Sequence, residues 1–200
     1  MDNDTKVTLS EGELAMVNNK NIILTKQSII TKTVALFNEQ IPVLSLLFRD
    51  IFIDDDNLLS SVPKIAKGEN YNSFPYVMMD YPASFSKQDI FGLRTMFWWG
   101  NFISITLHLK GKYKEKYAAK IWEIVAAQPE FYISIGEDEW QHDFNENNYV
   151  KSKDLPLHLK QKVAVSNYFK IALKYELHHW NMMQLLLPEG YNKIKNLLIS

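Results

Sequence analysis

The stretch Arg94-Thr95-Met96-Phe97-Trp98-Trp99-Gly100-Asn101-Phe102-Ile103-Ser104-Ile105-Thr106-Leu107-His108-Leu109 decides the fold. Two apolar runs meet at Gly100-Asn101, a pair suited to a tight turn, so the sequence predicts a β-hairpin. Its second arm alternates, with Ile103, Ile105, Leu107 and Leu109 on one face and Phe102, Ser104, Thr106 and His108 on the other. Upstream, residues 64–67 and 74–81 read as strands around the turn Gly68-Glu69-Asn70, and Pro75 marks an edge or an irregular entry. Downstream, residues 131–135 are β-rich, and Trp140, His142 and Phe144 alternate on a further run.

Helical spacing flanks this middle. Ser10 with Glu13 has the form of a capping box that opens a short helix. Ile22, Ile23, Ile29, Ile30, Val34 and Phe37 follow at helical intervals, and Pro42 is expected to divide that helix from the next. Residues 112–128 carry Tyr113, Tyr117, Ile121, Ile124 and Val125 on an inward face, and Pro129 stops them. The C-terminal third reads as helix to about residue 187, with Pro188-Glu189-Gly190 before a last short helix. The expected fold is α+β: a small, mostly antiparallel sheet of about 4–6 strands over residues 63–145, packed with N-terminal and C-terminal helices.

With 200 residues, 46% hydrophobic and 22% charged, the chain is neither a disordered tail nor a fibre. One domain over residues 10–200 is expected, after a disordered stretch at 1–9. The 22 Lys+Arg are offset by 23 Asp+Glu, which leaves no basic track for nucleic acid. Without cysteine there is no thiol catalysis, Cys-based zinc site or iron–sulfur cluster. The opening Met1-Asp2-Asn3-Asp4-Thr5-Lys6 lacks the basic start and apolar run of a signal peptide. The greasiest stretches, 41–53 and 102–109, fall short of the ~20 apolar residues of a membrane span. A soluble, cytoplasmic protein with no membrane partner is the expectation.

The segments Gly68-Glu69-Asn70-Tyr71, Phe74-Pro75-Tyr76-Val77, Asp80-Tyr81-Pro82 and Arg94 to Phe102 resemble a family of uncharacterised bacterial proteins of the Bacteroidetes type. The likeness covers residues 63–110. It implies a bacterial, cytosolic protein of unknown function and carries no activity with it.

Two constellations are candidates for chemistry. Glu139-Trp140-Gln141-His142 and Glu176-Leu177-His178-His179 share the Glu-x-x-His spacing, which on a helix puts carboxylate and imidazole on one face and recurs in di-iron carboxylate sites. On a helical wheel begun at Val165, Glu176 and His179 fall inside an apolar stripe with Phe169, Ala172, Met183 and Leu187. His178 falls with Lys170 and Lys174 on a solvated side. A strand at 140–144 would send Glu139 and His142 to opposite faces. Glu176 and His179 are thus candidate acid–base residues, His142, Glu176 and His179 candidate metal ligands, and the plain reading is a core pair satisfying itself.

The hairpin supplies the other constellation. Asp80, Arg94, Trp98, Trp99, Asn101 and His108 set polar groups among aromatics on neighbouring strands, the makeup of a ligand pocket. The plain alternative is a solvated sheet face with a structural Asp80–Arg94 clamp. No Gly-x-Gly-x-x-Gly, phosphate-cradling Gly-rich loop, Gly-x-Ser-x-Gly or His-Glu-x-x-His occurs, and no cofactor is predicted. The favoured function is a binding or interaction domain for a small molecule or protein partner at the hairpin. The alternative is a metal-dependent or acid–base enzyme using a buried Glu176/His179 pair. The apolar run from Trp180 to Leu187 leaves room for a homodimer interface.

Overall fold

The computed structural model describes residues 7–199. Most of the expected disordered stretch, residues 1–6, therefore lies outside the described residues. Seven strands form one antiparallel sheet: β1 (Lys64–Tyr71), β2 (Phe74–Phe85), β3 (Ile90–Trp98), β4 (Phe102–Lys110), β5 (Tyr132–Ser134), β6 (Tyr149–Lys151) and β7 (Tyr168–Glu176). Their order across the sheet is β1-β2-β3-β4-β7-β5-β6. The helices are α1 (Glu11–Val17), α2 (Lys20–Phe48), α3 (Asp56–Leu59), α4 (Lys112–Val125), α5 (Leu157–Val165) and α6 (Met183–Ile199). No helix among the described residues is long and apolar enough to cross a membrane.

The α+β class holds, and the 94–109 hairpin forms with the expected faces as β3 and β4. Ile103, Ile105, Leu107 and Leu109 join Val77, Met79, Leu93, Phe97, Ile171 and Leu173 in the main core. Phe37, Leu44 and Phe48 of α2, Tyr117 and Ile121 of α4, and Leu187, Tyr191 and Ile194 of α6 close over that face. At the centre of this layer the hydroxyls of Thr95 and Tyr191 are 2.8 Å apart.

The sheet is larger than expected, with seven strands reaching residue 176 rather than four to six ending at 145. Two strands lie beyond the expected bound: β6, of three residues, and β7, in a region whose spacing suggested a helix. Tyr168 to Glu176 also alternates, and pairing along all of β4 from Phe102↔Glu176 to Lys110↔Tyr168 settles the conflict for the strand. Residues 140–144 are not a strand but part of an irregular segment joining β5 to β6. Pro42 does not divide α2: Pro42 and Asn38, whose carbonyl loses its partner, are both exposed, so water replaces the missing bond. Pro188 and Gly190 likewise lie within α6, whose inward residues Met183 and Leu187 belong to the core. The apolar run from Trp180 to Leu187 is thus largely spent inside the domain.

Gly190 sets how closely α6 approaches the sheet. A Cβ there would collide with the Tyr175 hydroxyl and stand 2.6 Å from Ile105 Cδ1. Gly190→Ala is therefore expected to destabilise the domain by about 1–3 kcal/mol through overpacking, read from the urea midpoint. An unchanged midpoint would mean that α6 can lift away at no cost.

Candidate functional site

The second face of the sheet is polar at its centre and covered by no helix. Register aligns Asp80, Arg94, Thr106 and Ala172 in one row across β2, β3, β4 and β7. The next row holds Gly92, His108 and Lys170. Over these rows lies the irregular segment 135–148, which brings Glu139, Trp140, His142 and Phe144 down onto the sheet. The face that alternation marked as polar is therefore buried, not solvated.

Most of the charged side chains on this face have defined partners. Arg94 forks onto Asp80, donating from Nε to Oδ1 at 2.7 Å and from Nη2 to Oδ2 at 2.8 Å. Its Nη1 lies 2.6 Å from His142 Nε2. A guanidinium only donates, so Nε2 accepts and the His142 proton resides on Nδ1. Burial, then the neighbouring Arg94 charge, holds His142 well below the usual histidine range. Its Nδ1 is buried and has no hydrogen-bond partner among the described residues. The Tyr149 hydroxyl, against the same layer, is likewise buried and unpaired.

Glu139 accepts from His108 Nε2 at 3.2 Å and from Lys110 Nζ at 2.8 Å. Burial and the Lys170 charge push His108 down to about 4, with Glu139 opposing. Lys170 is 1% exposed. It donates to the backbone carbonyls of Glu139 (2.9 Å) and Gln141 (2.6 Å), and among the described residues it has no carboxylate within ion-pair distance. Burial first, then Arg94, lowers it to about 7. Arg94, Thr106, His108, His142 and Lys170 line a small cavity of about 10 Å³ walled by Phe85 and Trp140. That is room for about one water molecule.

The predicted residues divide cleanly. Arg94, His108 and His142 meet at this cavity, and Asp80 adjoins it through its fork with Arg94. Trp98, Trp99 and Asn101 do not: they build the hairpin tip. The Trp98 indole donates to the Tyr71 carbonyl at 3.0 Å, Trp99 packs edge-on against Phe97, and Asn101 caps the Trp99 carbonyl at 2.8 Å. Trp98 connects to the site through Tyr71, whose hydroxyl accepts from the His142 backbone N–H at 2.6 Å, and through Phe102, whose ring meets Phe144 edge-on.

Glu176 and His179 are not a buried pair. Glu176 ends β7, His179 sits in the 3-10 turn after it, and both are exposed, with Glu176 paired to Lys174 at 3.1 Å. The helical stripe that would have joined them is absent because residues 168–176 are extended. No group of three or more potential metal-ligating His, Asp or Glu occurs among the described residues. The sequence reading missed Lys170, which it placed on a solvated side. The signal for Lys170 was its position between Phe169 and Ile171 in an alternating β run.

A larger cavity lies elsewhere, a groove of about 940 Å³ between α4 and α5 floored by Trp122, Val163 and Phe169. None of the buried unpaired polar groups lines it, and its Lys114 is already bonded to the Ala164 and Ser166 carbonyls. It gathers none of the predicted site residues.

Acid should loosen the covered face. His108 is lowered in the folded state, so its stabilising neutrality is present above pH 6.5 and is lost as pH falls toward about 4. Stability measured by urea is expected to drop by up to about 3 kcal/mol across that window from this group. His108→Gln should flatten the decline between pH 6.5 and 5, above the carboxylate range. A variant that tracks the wild type there would remove His108 from the account.

No family model, curated protein or solved structure matches the chain, so the resemblance over residues 63–110 draws no support from such comparisons.

Proposed function

We propose that this domain binds a small oxyanion, such as a carboxylate, on the outer face of β3, β4 and β7 beneath the 135–148 segment. The observation that carries the reading is Lys170: a buried ammonium held by two loop carbonyls, with the Asp138, Glu139 and Asp143 carboxylates near enough to act on it and none of them within ion-pair distance. Around it stand further donors, the Arg94 guanidinium and the unpaired His142 Nδ1–H. A donor-rich site selects a ligand made of acceptors, and a full negative charge offsets a buried ammonium better than carbonyl dipoles do. In the closed form the Glu139 and Gln141 carbonyls occupy the place of ligand oxygens on Lys170. Binding lifts the segment and exchanges those carbonyls for the anion, with Trp140 and Phe85 as apolar walls. This is the binding-domain function expected from the hairpin, moved from its tip to its outer face.

Thermal shift with sodium acetate, oxalate and phosphate, each against sodium chloride at equal ionic strength, tests the reading. At least one anion should raise the Tm, and above its Kd the rise should continue with the logarithm of its concentration. His142→Phe, which keeps the ring volume and removes the N–H, should weaken that shift. Three anions that behave as chloride does would defeat the proposal.

A further inference from the structure

Every residue from Val7 to Thr25 is exposed, and no residue of α1 is buried. α2 is 29 residues long, about 43 Å, yet its first buried residue is Thr33. α1 and the start of α2, up to Thr25, thus form an arm that leaves the body of the domain, which α2 rejoins at Lys26 through its ion pair with Glu69. The arm is not polar. Leu14, Met16, Val17, Ile22, Ile23 and Leu24 are each between 44% and 69% exposed. A seven-residue helix with nothing buried is marginal in water even with the Ser10–Glu13 capping box closed. Clustered apolar side chains of this kind mark an interaction surface.

We propose that the arm pairs with the same arm of a second copy of this chain in an antiparallel, two-fold arrangement. Charge complementarity selects that occupant. α1 carries Glu11 and Glu13 and no basic residue, whereas residues 20–32 of α2 carry the exposed Lys20 and Lys32, besides Lys26 already paired to Glu69, and no acidic residue. Two arms laid antiparallel set the acidic helix of each against the basic stretch of the other, as an isologous interface requires. The formal net charge of −1 leaves little repulsion between copies. The six apolar side chains expose on the order of 600 Å² per arm, close to the ~800 Å² that each partner gives to a standard interface.

Sedimentation equilibrium of the full chain at tens of micromolar tests this. The expected species has twice the 23.4 kDa chain mass and dissociates more readily as salt is raised. Val17→Glu with Ile23→Glu changes only exposed positions and should weaken pairing at least tenfold while leaving the near-UV circular dichroism unchanged. Glu11→Lys should weaken it too, and adding Lys20→Glu and Lys32→Glu should restore it. A monomer at all concentrations overturns the proposal, as does a dimer indifferent to these substitutions. So does a monomer whose arm instead binds phosphatidylserine vesicles.

Discussion

Lys170→Met is expected to abolish oxyanion binding, to leave stability little changed at neutral pH and to lower it at alkaline pH. Lys170 sits at about 7 in the folded domain against an ordinary 10.5. Between those values the unfolded chain holds a proton that the folded one lacks, so wild-type stability rises with pH across the window. Below pH 7 the folded domain carries the whole cost of a buried ammonium. Methionine fills the channel of the lysine stem without that charge, and leaves the Glu139 and Gln141 carbonyls without a donor, at about 1–3 kcal/mol each. Near pH 7 loss and relief offset each other. At pH 10 the wild-type amine is neutral and still donates, so the variant should be the less stable by a few kcal/mol. Amide hydrogen exchange in residues 135–148 should quicken at both pH values, because two fastenings of that segment are gone. Parallel stability curves for the two proteins from pH 7 to 10 would show that Lys170 keeps its proton throughout.

Asp80→Ala is expected to cost about 3–5 kcal/mol, because it leaves the Arg94 guanidinium buried without its carboxylate. Both side chains are only 14% exposed, so water cannot take over the role of the carboxylate. Arg94 also donates to His142, and the freed guanidinium is expected to shift toward the 135–148 segment and disturb it. Asp80→Leu combined with Arg94→Met removes both charges at similar volume and should recover most of the loss. A double-mutant cycle would then give a coupling of at least about 2 kcal/mol. Additive single effects would mean that the two groups are solvated separately. The same cycle followed by oxyanion binding separates fold from site: the doubly substituted protein should be folded but weakened in binding.

The hairpin was legible in the sequence because two independent signals agreed there. Strict alternation from Phe102 to Leu109 and the Gly100-Asn101 turn both demand antiparallel strands, and Gly100 does take a positive φ of 70°. Tyr168 to Glu176 was misread because its signals disagreed. Phe169 and Ala172 continue into Glu176, His179 and Met183 at helical spacing, while Phe169, Ile171, Leu173 and Tyr175 alternate, and nine residues are too few for either period to exclude the other. The tie is broken by β4, whose free edge needs a partner. That error also hid the site. Read as helix, Lys170 falls beside Lys174 in solvent; read as strand, it faces the row of His108. The covering segment was illegible for another reason: Glu139, Trp140 and His142 follow no period, and their positions are set by Lys170, Tyr71 and Arg94, which are distant in sequence.

The strand order has a consequence for how copies of this chain can meet. A sheet ends in two strands with unpaired backbone groups, and such edges invite growth by addition of further chains. Here the outermost strands are β1 and β6. β6 has three residues, too short to template another strand. β1 is longer but exposes Lys64, Lys67 and Glu69, and its register slips between Gly68 and Tyr71. Lys26 of α2 pairs with Glu69 and lays helix against that border. Ribbon-like stacking through backbone hydrogen bonds is thereby blocked at both borders, which leaves side-chain contacts as the route to association and favours a closed pair over an open fibre.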